Sequence, residues 1–434
     1  MDSDRAGTAG EGSGDPARRP ALARAESRPA TLVLIALAMI APISTDMFIP
    51  SMPAMARELN SSTSTVSLAV TLFILSFAVA QLFWGPASDR FGRRPVLLAG
   101  LALYSAGSAV VLLTSSINLV VAGRVVQGVG GGAAYAVSYA IVIDVYGRVR
   151  SMGILALLAS VTGVAPMLAP TIGGLLQSAF GWRSVFVVFL AFGLALSIGY
   201  ALIIPETNTS RDGRALSVPA LGRNWATLFR DRAYRSNVAL ITVLFCGQFV
   251  FISSSSFVFI DDLGLSPRLF GLGFGLVALG MVLGANTTRR AGDRWDRPRA
   301  VRLATLSAAG AATGMALAAL AGARGPWLIL GPMFVFAYAS GLIRPMAQAA
   351  ALIPFRAMAG LASAVLGFTQ LAASSLVSVA FNGILTPGPV TMTVVIAAAA
   401  LGGVALAWSP SERASVAQAA PAAAAPVEPG PPGS

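Results

Sequence analysis

Residues 64–114 read STVSLAVTLFILSFAVAQLFWG, then PASDRFGRR, then PVLLAGLALYSAGSAVVLLT. Two apolar blocks of about twenty residues flank a short loop that holds three Arg and one Asp. Each block is long enough to cross roughly 30 Å of hydrocarbon as a helix, whereas a spanning strand needs only ~10 residues of alternating polarity. This stretch therefore predicts two membrane-spanning helices joined by a charged loop.

The same pattern recurs along the whole chain. Of its 434 residues, 56% are hydrophobic and only 11% are charged, against roughly 25% charged residues in soluble domains. We predict an all-α membrane protein with twelve transmembrane helices in two six-helix halves. The predicted spans are 31–53, 64–85, 95–114, 117–143, 152–178, 184–204, 237–260, 269–288, 301–322, 327–349, 358–382 and 389–408.

The longest internal polar stretch separates the two halves. It runs from Glu206 to Asn237, carries six Arg and leaves six predicted spans on each side. Equal halves are typical of transporters that rock around a central site, although an incidental long loop would give the same pattern. The predicted organisation is a disordered cytoplasmic tail (1–29), a six-helix half (30–206), a basic cytoplasmic linker (207–236), a second six-helix half (237–408) and a disordered tail (409–434).

The positive charges predict the orientation in the membrane. All 30 basic residues are Arg, and the net charge is +12. Of these, 24 fall in the tails and loops of one side, whereas the loops of the other side hold only Arg57, Arg183, Arg268 and Arg324. By the positive-inside rule both termini are cytoplasmic. The basic excess is then a topology signal with at most a secondary contact to anionic lipid, and it does not indicate nucleic-acid binding.

The composition also argues against an enzyme or a sensor. The chain has no His and a single Cys, Cys246, which excludes His-based catalysis, His proton relays, His metal sites and an intrachain disulfide. It contains no G-x-x-x-x-G-K-[ST] phosphate-binding loop and no Lys to complete one. We predict no metal site and no cofactor.

Asp46 is predicted to lie some fifteen residues into the first span, about 22 Å along the helix. It belongs to the segment STDMFIP at 44–50. An ionised carboxylate at such a depth costs several kcal/mol unless it is paired or hydrated. We interpret Asp46 as a proton carrier or a binder of cationic substrate, with Met47 and Phe48 as cavity residues beside it. The alternative is a residue at the outer interface that water satisfies.

One face of span 4 combines a cation, small residues and two aromatic rings. Its members are spaced three or four residues apart: Arg124, Gly128, Gly131, Tyr135 and Tyr139. We predict Arg124 to be the electrostatic partner of Asp46, directly or through water. A structural Arg that binds backbone carbonyls is the alternative. Three residues of this span are predicted to line a substrate cavity: Gln127, Tyr135 and Tyr139.

Span 5 reads GVAPMLAPTIGG at 163–174. Two prolines four residues apart each remove a backbone hydrogen bond and bend the helix, and the glycines allow close helix crossing. We predict that these residues shape a moving interface: Gly163, Pro166, Pro170, Gly173 and Gly174.

Spans 7 and 10 supply the remaining cavity candidates. Gln248 and Phe251 precede a run of four Ser and are predicted to line the cavity, although ordinary helix packing explains them as well. Arg344 is a charge within span 10, which is costly unless it meets a carboxylate, carbonyls or water. It either directs substrate choice towards neutral or anionic molecules or extends towards the cytoplasmic interface.

The loop between spans 2 and 3 resembles the G-x-x-x-D-R-x-G-R-R signature of the major facilitator superfamily. Topology alone would explain its Arg residues but not an acid and glycines at fixed spacing. We predict a cytoplasmic gate whose ion pairs break when the halves reorient: Gly85, Asp89, Arg90, Gly92, Arg93 and Arg94.

Further segments resemble the Bcr/CflA drug-resistance subfamily, and the span 5 motif resembles that of exporters rather than importers. These segments are TDMFIP (45–50), APMLAP (165–170), GWR (181–183), PET (205–207), GLIRP (341–345) and GLASA (360–364). The resemblance runs from about residue 31 to 405 and departs at Met346, where the subfamily usually has Asn.

The resemblance implies a bacterial inner-membrane protein that exports bicyclomycin-, chloramphenicol- or sulfonamide-type drugs in exchange for protons by alternating access. The proton gradient would be the energy source. The expected partners are a small-molecule substrate, protons and the lipid bilayer, and we expect a monomer. A proton-coupled exporter of an endogenous metabolite with the same fold is the alternative.

Overall fold

The computed structural model describes residues 27–208, 225–385 and 388–409. In these residues eleven helices are long and apolar enough to cross a membrane, and two shorter helices joined by a 43° bend form one more span. The prediction of twelve spans is confirmed. In chain order they are α1 (Arg28–Ala38 with Ile40–Glu58), α2 (Thr63–Phe91), α3 (Arg93–Leu113), α4 (Ile117–Gly147), α5 (Arg150–Phe180), α6 (Arg183–Ile203), α7 (Arg232–Asp262), α8 (Pro267–Ala291), α9 (Arg297–Leu320), α10 (Trp327–Phe355), α11 (Gly360–Ile384) and α12 (Pro389–Ala407).

The predicted tails and linker lie largely outside the described residues. This applies to 1–26 of the N-terminal tail (1–29), to 209–224 of the linker (207–236) and to 410–434 of the C-terminal tail (409–434). The division into these segments therefore stays a prediction.

Several spans begin and end where the sequence supplies the required cap. The Ser62 hydroxyl accepts a hydrogen bond from the Thr65 N–H at 3.1 Å and starts α2, and the Asp231 carboxylate accepts one from the Tyr234 N–H at 2.7 Å and starts α7. At the other end of α2, Gly92 adopts φ +106°, a conformation that favours glycine.

The turn between α4 and α5 is shorter than the sequence predicts. Helical hydrogen bonding runs from Ile117 to Phe180, and Gly147 alone breaks the helical dihedral angles, with φ 65° and ψ 176°. A residue without a Cβ adopts this positive φ at little cost. The predicted gap between spans 117–143 and 152–178 is therefore mostly helical.

The first span is irregular along its length. Its helix is interrupted at Met39, continues over Ile40–Asp46, and passes through a 3-10 turn at Ile49–Ser51 before Met52–Glu58. Pro50 and Pro53 have no N–H, so the carbonyl groups four residues earlier lose their helical donors. The helical hydrogen bonding of α1 is therefore broken beside Asp46, whereas the 43° bend lies at Met39.

The two halves of the chain meet where α5 crosses α8 with backbone against backbone. A Cβ atom on Gly174 would lie 2.2 Å from the carbonyl oxygen of Pro267, and one on Gly271 would lie 2.6 Å from that of Pro170. The Thr171 hydroxyl donates to the Gly271 carbonyl at 3.1 Å. Small residues permit this close approach in a membrane, where packing replaces the hydrophobic effect.

A second contact between the halves is a buried seam of hydroxyl groups on α2, α7 and α11, which we call the hydroxyl seam. Ser67 donates to the Ser253 carbonyl at 3.1 Å. The hydroxyls of Thr71 and Ser378 lie 3.0 Å apart, and Ser378 donates to the Ser253 hydroxyl at 3.2 Å. The Asn382 amide donates to the Ser378 carbonyl at 2.8 Å.

These contacts close one side of the molecule. The hydroxyl seam, the α5–α8 crossing and an ion pair between Arg57 and Asp261 all lie towards the loops that follow α1 and α7. Between described residues, the hydrogen bonds that join the halves are confined to this side. The space between the halves therefore opens towards the side where residues 27 and 409 lie.

We expect Gly174→Ala to lower the melting temperature by several degrees, because the added methyl group meets the Pro267 carbonyl oxygen and the two backbones must separate. Overpacking of this kind costs about 1–3 kcal/mol. Cys246 is the single Cys and is buried, so its labelling by a thiol-reactive dye during heating measures unfolding. Gly153→Ala on the same helix is the control, since a Cβ there meets nothing within 4 Å. Equal melting temperatures for both variants would contradict the crossing.

Candidate functional site

Asp46 lies at the interruption of α1 and is 5% exposed. Within the described residues, no hydrogen bond or ion pair reaches its carboxylate. The next residue along α1 is held directly by α5, because a Cβ on Gly173 would lie 2.0 Å from the carbonyl oxygen of Met47. The Thr45 hydroxyl, which precedes Asp46, is buried and also lacks a partner. This part of α1 therefore presents polar groups that its own half leaves unsatisfied.

A cavity of about 400 Å³ lies between α1 and α5. We call it the apolar cavity. Its wall includes Met47, the residue that follows Asp46 in α1. Met39, Ile43 and Met47 form its α1 wall, and α5 contributes a wall that includes Val164 and Leu168. Its volume is in the range of small-molecule sites, and Met side chains adapt to ligands of different shape. Of the predicted cavity residues, Met47 contributes to this wall.

Arg124 is fully buried and bridges three helices. Its guanidinium donates to the Ser44 carbonyl of α1 at 3.0 Å and to the Ala69 carbonyl of α2 at 3.3 Å. It also donates to the Gln127 side-chain oxygen at 2.5 Å, and the Gln127 amide donates to the Ser108 hydroxyl of α3 at 2.8 Å. Hydrogen bonds to carbonyl groups of two other helices make Arg124 a clamp on the first half.

Two aromatic rings complete the surroundings of Arg124. Its guanidinium carbon lies 4.2 Å from the ring centre of Phe73 and 5.0 Å from that of Phe48, distances at which a cation is attracted to the ring face. No ion pair with Asp46 is formed in the described part of the chain. The geometry is that of the structural alternative, and Arg124 reaches α1 two residues before Asp46 rather than at its carboxylate.

The other predicted cavity residues fall into two groups. Tyr135 and Tyr139 are partly exposed and contact one another on α4, with ring centres 4.7 Å apart and ring planes tilted by 39°. Phe48, Gln127 and Phe251 lie in the interior of their own halves and are at most 1% exposed. In this conformation, these three side chains pack between helices and do not line a cavity.

Gln248 and Arg344 meet at a small pocket in the second half, which we call the polar pocket. Its volume is about 20 Å³, and α7, α8, α10 and α11 each contribute to it. Ser340 and Gln370 line it as well. The sequence predicts Gln248 and Arg344 as cavity residues. The fold brings two further polar side chains to them, Ser340 from α10 and Gln370 from α11.

The predicted gate motif forms a network within the first half. Arg93 pairs with Asp89 at 2.5 Å and with Asp144, at the end of α4, at 2.9 Å. It also donates to the Ser88 hydroxyl at 2.6 Å. Arg90 lies over the ring of its neighbour Phe91. In the described residues, this network makes no contact with the second half, because the halves are apart on this side.

Glu206 completes the gate network and was not predicted from the sequence. Its carboxylate accepts hydrogen bonds from the backbone N–H groups of Arg93 and Arg94 at 2.9 and 3.0 Å, which caps the start of α3 with a negative charge. The φ of +106° favours glycine at Gly92, and a Cβ there would also displace the Glu206 carboxylate, since it would lie 2.6 Å from a Glu206 oxygen. Asp144 and Glu206 stand at span ends on the Arg-rich side, and that position is the signal by which they could have been found.

The members of the span 5 motif have different surroundings. Gly173 and Gly174 contact α1 and α8, respectively, and the Pro170 carbonyl lies against Gly271. Pro166 lies within the helix. Gly163 and, in the gate motif, Gly85 face open space, since a Cβ on either would meet nothing within 4 Å. The contact between the halves therefore uses the C-terminal part of the motif.

Comparison with known proteins identifies the family. The family model described as the Major Facilitator Superfamily matches residues 34–380. The chain belongs to the Major Facilitator Superfamily. The superfamily assignment makes the protein a multi-pass membrane transporter of small molecules and not an enzyme, as the sequence predicts.

Individual relatives and a solved structure support the assignment. The uncharacterized MFS-type transporter YdgK of Bacillus subtilis (strain 168) is 31% identical over 79% of this chain and 85% of its own length. The bicyclomycin resistance protein homolog of Haemophilus influenzae (strain ATCC 51907 / DSM 11121 / KW20 / Rd) is 28% identical over 80% and 86%, which confirms the resemblance to the Bcr/CflA subfamily. A D-xylose-proton symporter structure superposes with a TM-score of 0.67 at 16% identity, over 88% of this chain and 97% of that chain, and shows the same fold.

We expect Arg124→Met to destabilise the protein by about 2–4 kcal/mol, because two buried carbonyl groups lose their donor. Arg124→Lys should recover part of this loss, since an ammonium group cannot donate in the fork geometry that reaches both carbonyls. Dye labelling of Cys246 during heating measures both effects.

Arg299→Met is the matched control, because the Arg299 side chain is 83% exposed and pairs only with neighbouring Asp296. An Arg124→Met variant as stable as this control would rule out the clamp. If such a variant also lost transport, Arg124 would act in coupling instead.

Proposed function

We propose that this protein exports drug-like small molecules in exchange for protons by alternating access. The observation that carries the proposal is the carboxylate of Asp46. It is 5% exposed, has no partner among the described residues and belongs to the residue before Met47, which lines the apolar cavity. The bicyclomycin resistance protein homolog supports a drug of the bicyclomycin, chloramphenicol or sulfonamide type as substrate.

The chemistry of the exchange follows from the isolation of Asp46. A carboxylate within the membrane is stabilised by a bound proton or by the positive or polar part of a ligand. The proton and the substrate compete for the carboxylate, because Asp46 is adjacent to Met47 of the cavity wall and a substrate in the cavity comes close to it. Arrival of substrate therefore releases a proton, and a proton that arrives from the other side releases substrate. The Asp46 carboxyl thus acts as the coupling group.

Alternating access requires the two sides of the molecule to open in turn. In this conformation the hydroxyl seam and the Arg57–Asp261 pair close one side. We assign the open side to the cytoplasm, because the positive-inside rule places both termini there. In the opposite state these contacts separate, and the gate network of Asp89, Arg93 and Asp144 approaches the second half.

We further propose residence in the bacterial inner membrane as a monomer, with the proton gradient as the energy source and no cofactor. The Arg-rich loops on the cytoplasmic side suit anionic lipid headgroups. The predicted cavity residues Phe48, Gln127, Tyr135, Tyr139, Gln248, Phe251 and Arg344 are proposed to line the path in one state or the other. Phe48, Gln127 and Phe251 now lie in the interior of their own halves, so their exposure requires rearrangement of helices within a half as well.

We expect Asp46→Asn to abolish drug-driven proton release in everted vesicles while drug binding is retained, because an amide keeps the size of the side chain but carries no exchangeable charge. A pH-sensitive dye follows proton release, and binding is measured on the purified protein. Asp296→Asn is the control, since it removes an exposed carboxylate on the Arg-rich side. Release at the wild-type rate from the Asp46→Asn protein would exclude Asp46 as the coupling residue.

The substrate class is tested by growth of an expressing strain on a panel of antibiotics that includes bicyclomycin, chloramphenicol and a sulfonamide. We expect at least a fourfold rise in the inhibitory concentration of one of them, and loss of that rise in the Asp46→Asn strain. Resistance to none of the panel would favour the exporter of an endogenous metabolite over a drug exporter.

A further inference from the structure

Arg344 is a charge inside the membrane that the protein itself does not neutralise. It lies in α10 between Gly341 and Pro345, where α10 packs on α8, since a Cβ on Gly341 would lie 2.1 Å from the Met281 carbonyl oxygen. The guanidinium forms no hydrogen bond or ion pair with any described residue. A bare cation at such a position costs several kcal/mol.

The contrast with Arg124 shows that the lack of partners is specific to Arg344. Arg124 also lies within a span and is fully buried, and three hydrogen bonds and two aromatic rings satisfy it. Near Arg344, the described residue close enough for an electrostatic interaction is Tyr135 of the first half. Arg344 therefore faces the other half across the space between them, where a transported molecule has to pass.

The surroundings of Arg344 are also short of partners. The Ser340 hydroxyl and the Gln370 side-chain oxygen, in residues that are 9% and 2% exposed, have no hydrogen-bond partner among the described residues. Gln248 donates only to the sulfur atom of Met281, at 3.4 Å, which is a weak acceptor. All three side chains line the polar pocket with Arg344. Buried polar groups are normally satisfied, so two unpartnered side chains in one pocket are available to a polar group of a ligand. The Gln370 amide presents its nitrogen in place of its oxygen by a half-turn of the terminal amide.

The size of the pocket limits what part of a ligand it holds. A volume of about 20 Å³ accommodates one water-sized group. The pocket can therefore take one oxygen atom of an oxyanion, while the second oxygen and the rest of the molecule stay in the larger space between the halves. The hydroxyl of Ser340 and the amides of Gln248 and Gln370 can each donate a hydrogen bond, in addition to the N–H groups of Arg344.

We propose that the polar pocket is a binding subsite for the carboxylate of an anionic amphiphilic substrate. The planar fork of Arg344 matches the two oxygens of a carboxylate, and the negative charge offsets a cation that is only partly exposed. A neutral drug would gain no ionic interaction with the guanidinium. This inference rests on the proposed export function and adds anionic amphiphiles to its substrate class.

The test compares two fluorescent probes that share one ring system and differ in charge: 6-methoxy-2-naphthylacetic acid and its methyl ester. Binding to the full-length protein in phosphatidylcholine nanodiscs is measured by fluorescence anisotropy, after subtraction of the signal from protein-free nanodiscs. We expect the wild-type protein to bind the acid at least tenfold more tightly than the ester. In Arg344→Gln the two affinities should lie within twofold, and Arg344→Lys should keep part of the preference because it retains the charge without the fork.

Arg299→Gln is the matched control, because it removes the same charge from a side chain that is 83% exposed, and it should keep the wild-type preference. Equal affinities of the wild-type protein for acid and ester would overturn the subsite. A preference that survives in Arg344→Gln would overturn it as well.

A second variant covers the case that Arg344→Gln does not fold, as judged by early labelling of Cys246. Gln370→Leu keeps the guanidinium and removes a polar side chain of the same pocket, and it should weaken binding of the acid by threefold or more while binding of the ester is unchanged. Unchanged binding of the acid in Gln370→Leu would exclude the pocket as the site.

The outcome separates this inference from the proposed function. Proton release that depends on Asp46, without any preference for the acid, would overturn the subsite alone. A preference for the acid that depends on Arg344, in a protein without drug-driven proton release, would overturn the proton exchange and leave the subsite in place.

Discussion

Two consecutive glycines of α5 connect the candidate site to the contact between the halves. Gly173 lies against the α1 backbone at Met47, one residue after Asp46, and Gly174 lies against the α8 backbone at Pro267. Because neither position has room for a Cβ atom, α5 touches its own half and the other half at one level of the membrane. The closed side can open only if α8 moves away from Gly174. The neighbouring residue of α5, Gly173, contacts α1. The position of Met47 in the wall of the apolar cavity and the closed side both depend on this crossing.

The membrane also sorts the buried charges by how they are satisfied. Arg124 donates hydrogen bonds to carbonyl groups of two other helices and to the Gln127 side chain of its own helix. Arg93 pairs with two carboxylates. Asp46 and Arg344 have no such partners among the described residues. Since an unsatisfied ionic group is expensive in a medium of low dielectric constant, a protein keeps one where a proton or a ligand completes it. This distinction separates groups that hold the fold from groups available for transport.

The two halves share an architecture and differ in chemistry. The first half holds the gate network, the Arg124 clamp and Asp46. It also holds the apolar cavity, whose wall residues are apolar except for Ser160. The second half holds the polar pocket around Arg344. A molecule between the halves would therefore meet an apolar surface and a carboxyl group on one side and a cation with amides on the other. Such a surface suits amphiphilic molecules that carry more than one polar group.

Sequence reasoning succeeded where a feature is local and was incomplete where it depends on a distant partner. Span count, charge asymmetry and the glycines of span 5 follow from residues within one or two turns. The three- and four-residue spacing in span 4 placed Arg124 and Tyr135 on one face but left open what that face meets. For the same reason the sequence does not show that Phe48 and Phe251 each pack against an aromatic ring of their own half. The sequence does not predict that Asp144 and Glu206 bind Arg93, because 51 and 113 residues separate them from it.

The sequence by itself determined that this chain crosses a membrane twelve times in a major facilitator fold, because bilayer thickness and the cost of exposed backbone act on each apolar segment separately. It also identified the ionisable groups within the spans. Only the tertiary structure decided that Arg124 binds carbonyl groups rather than Asp46, that Gly173 and Gly174 contact different halves, and that Arg344 shares a pocket with Ser340 and Gln370. These outcomes depend on the angle and depth at which helices far apart in the chain cross, and side-chain packing sets both.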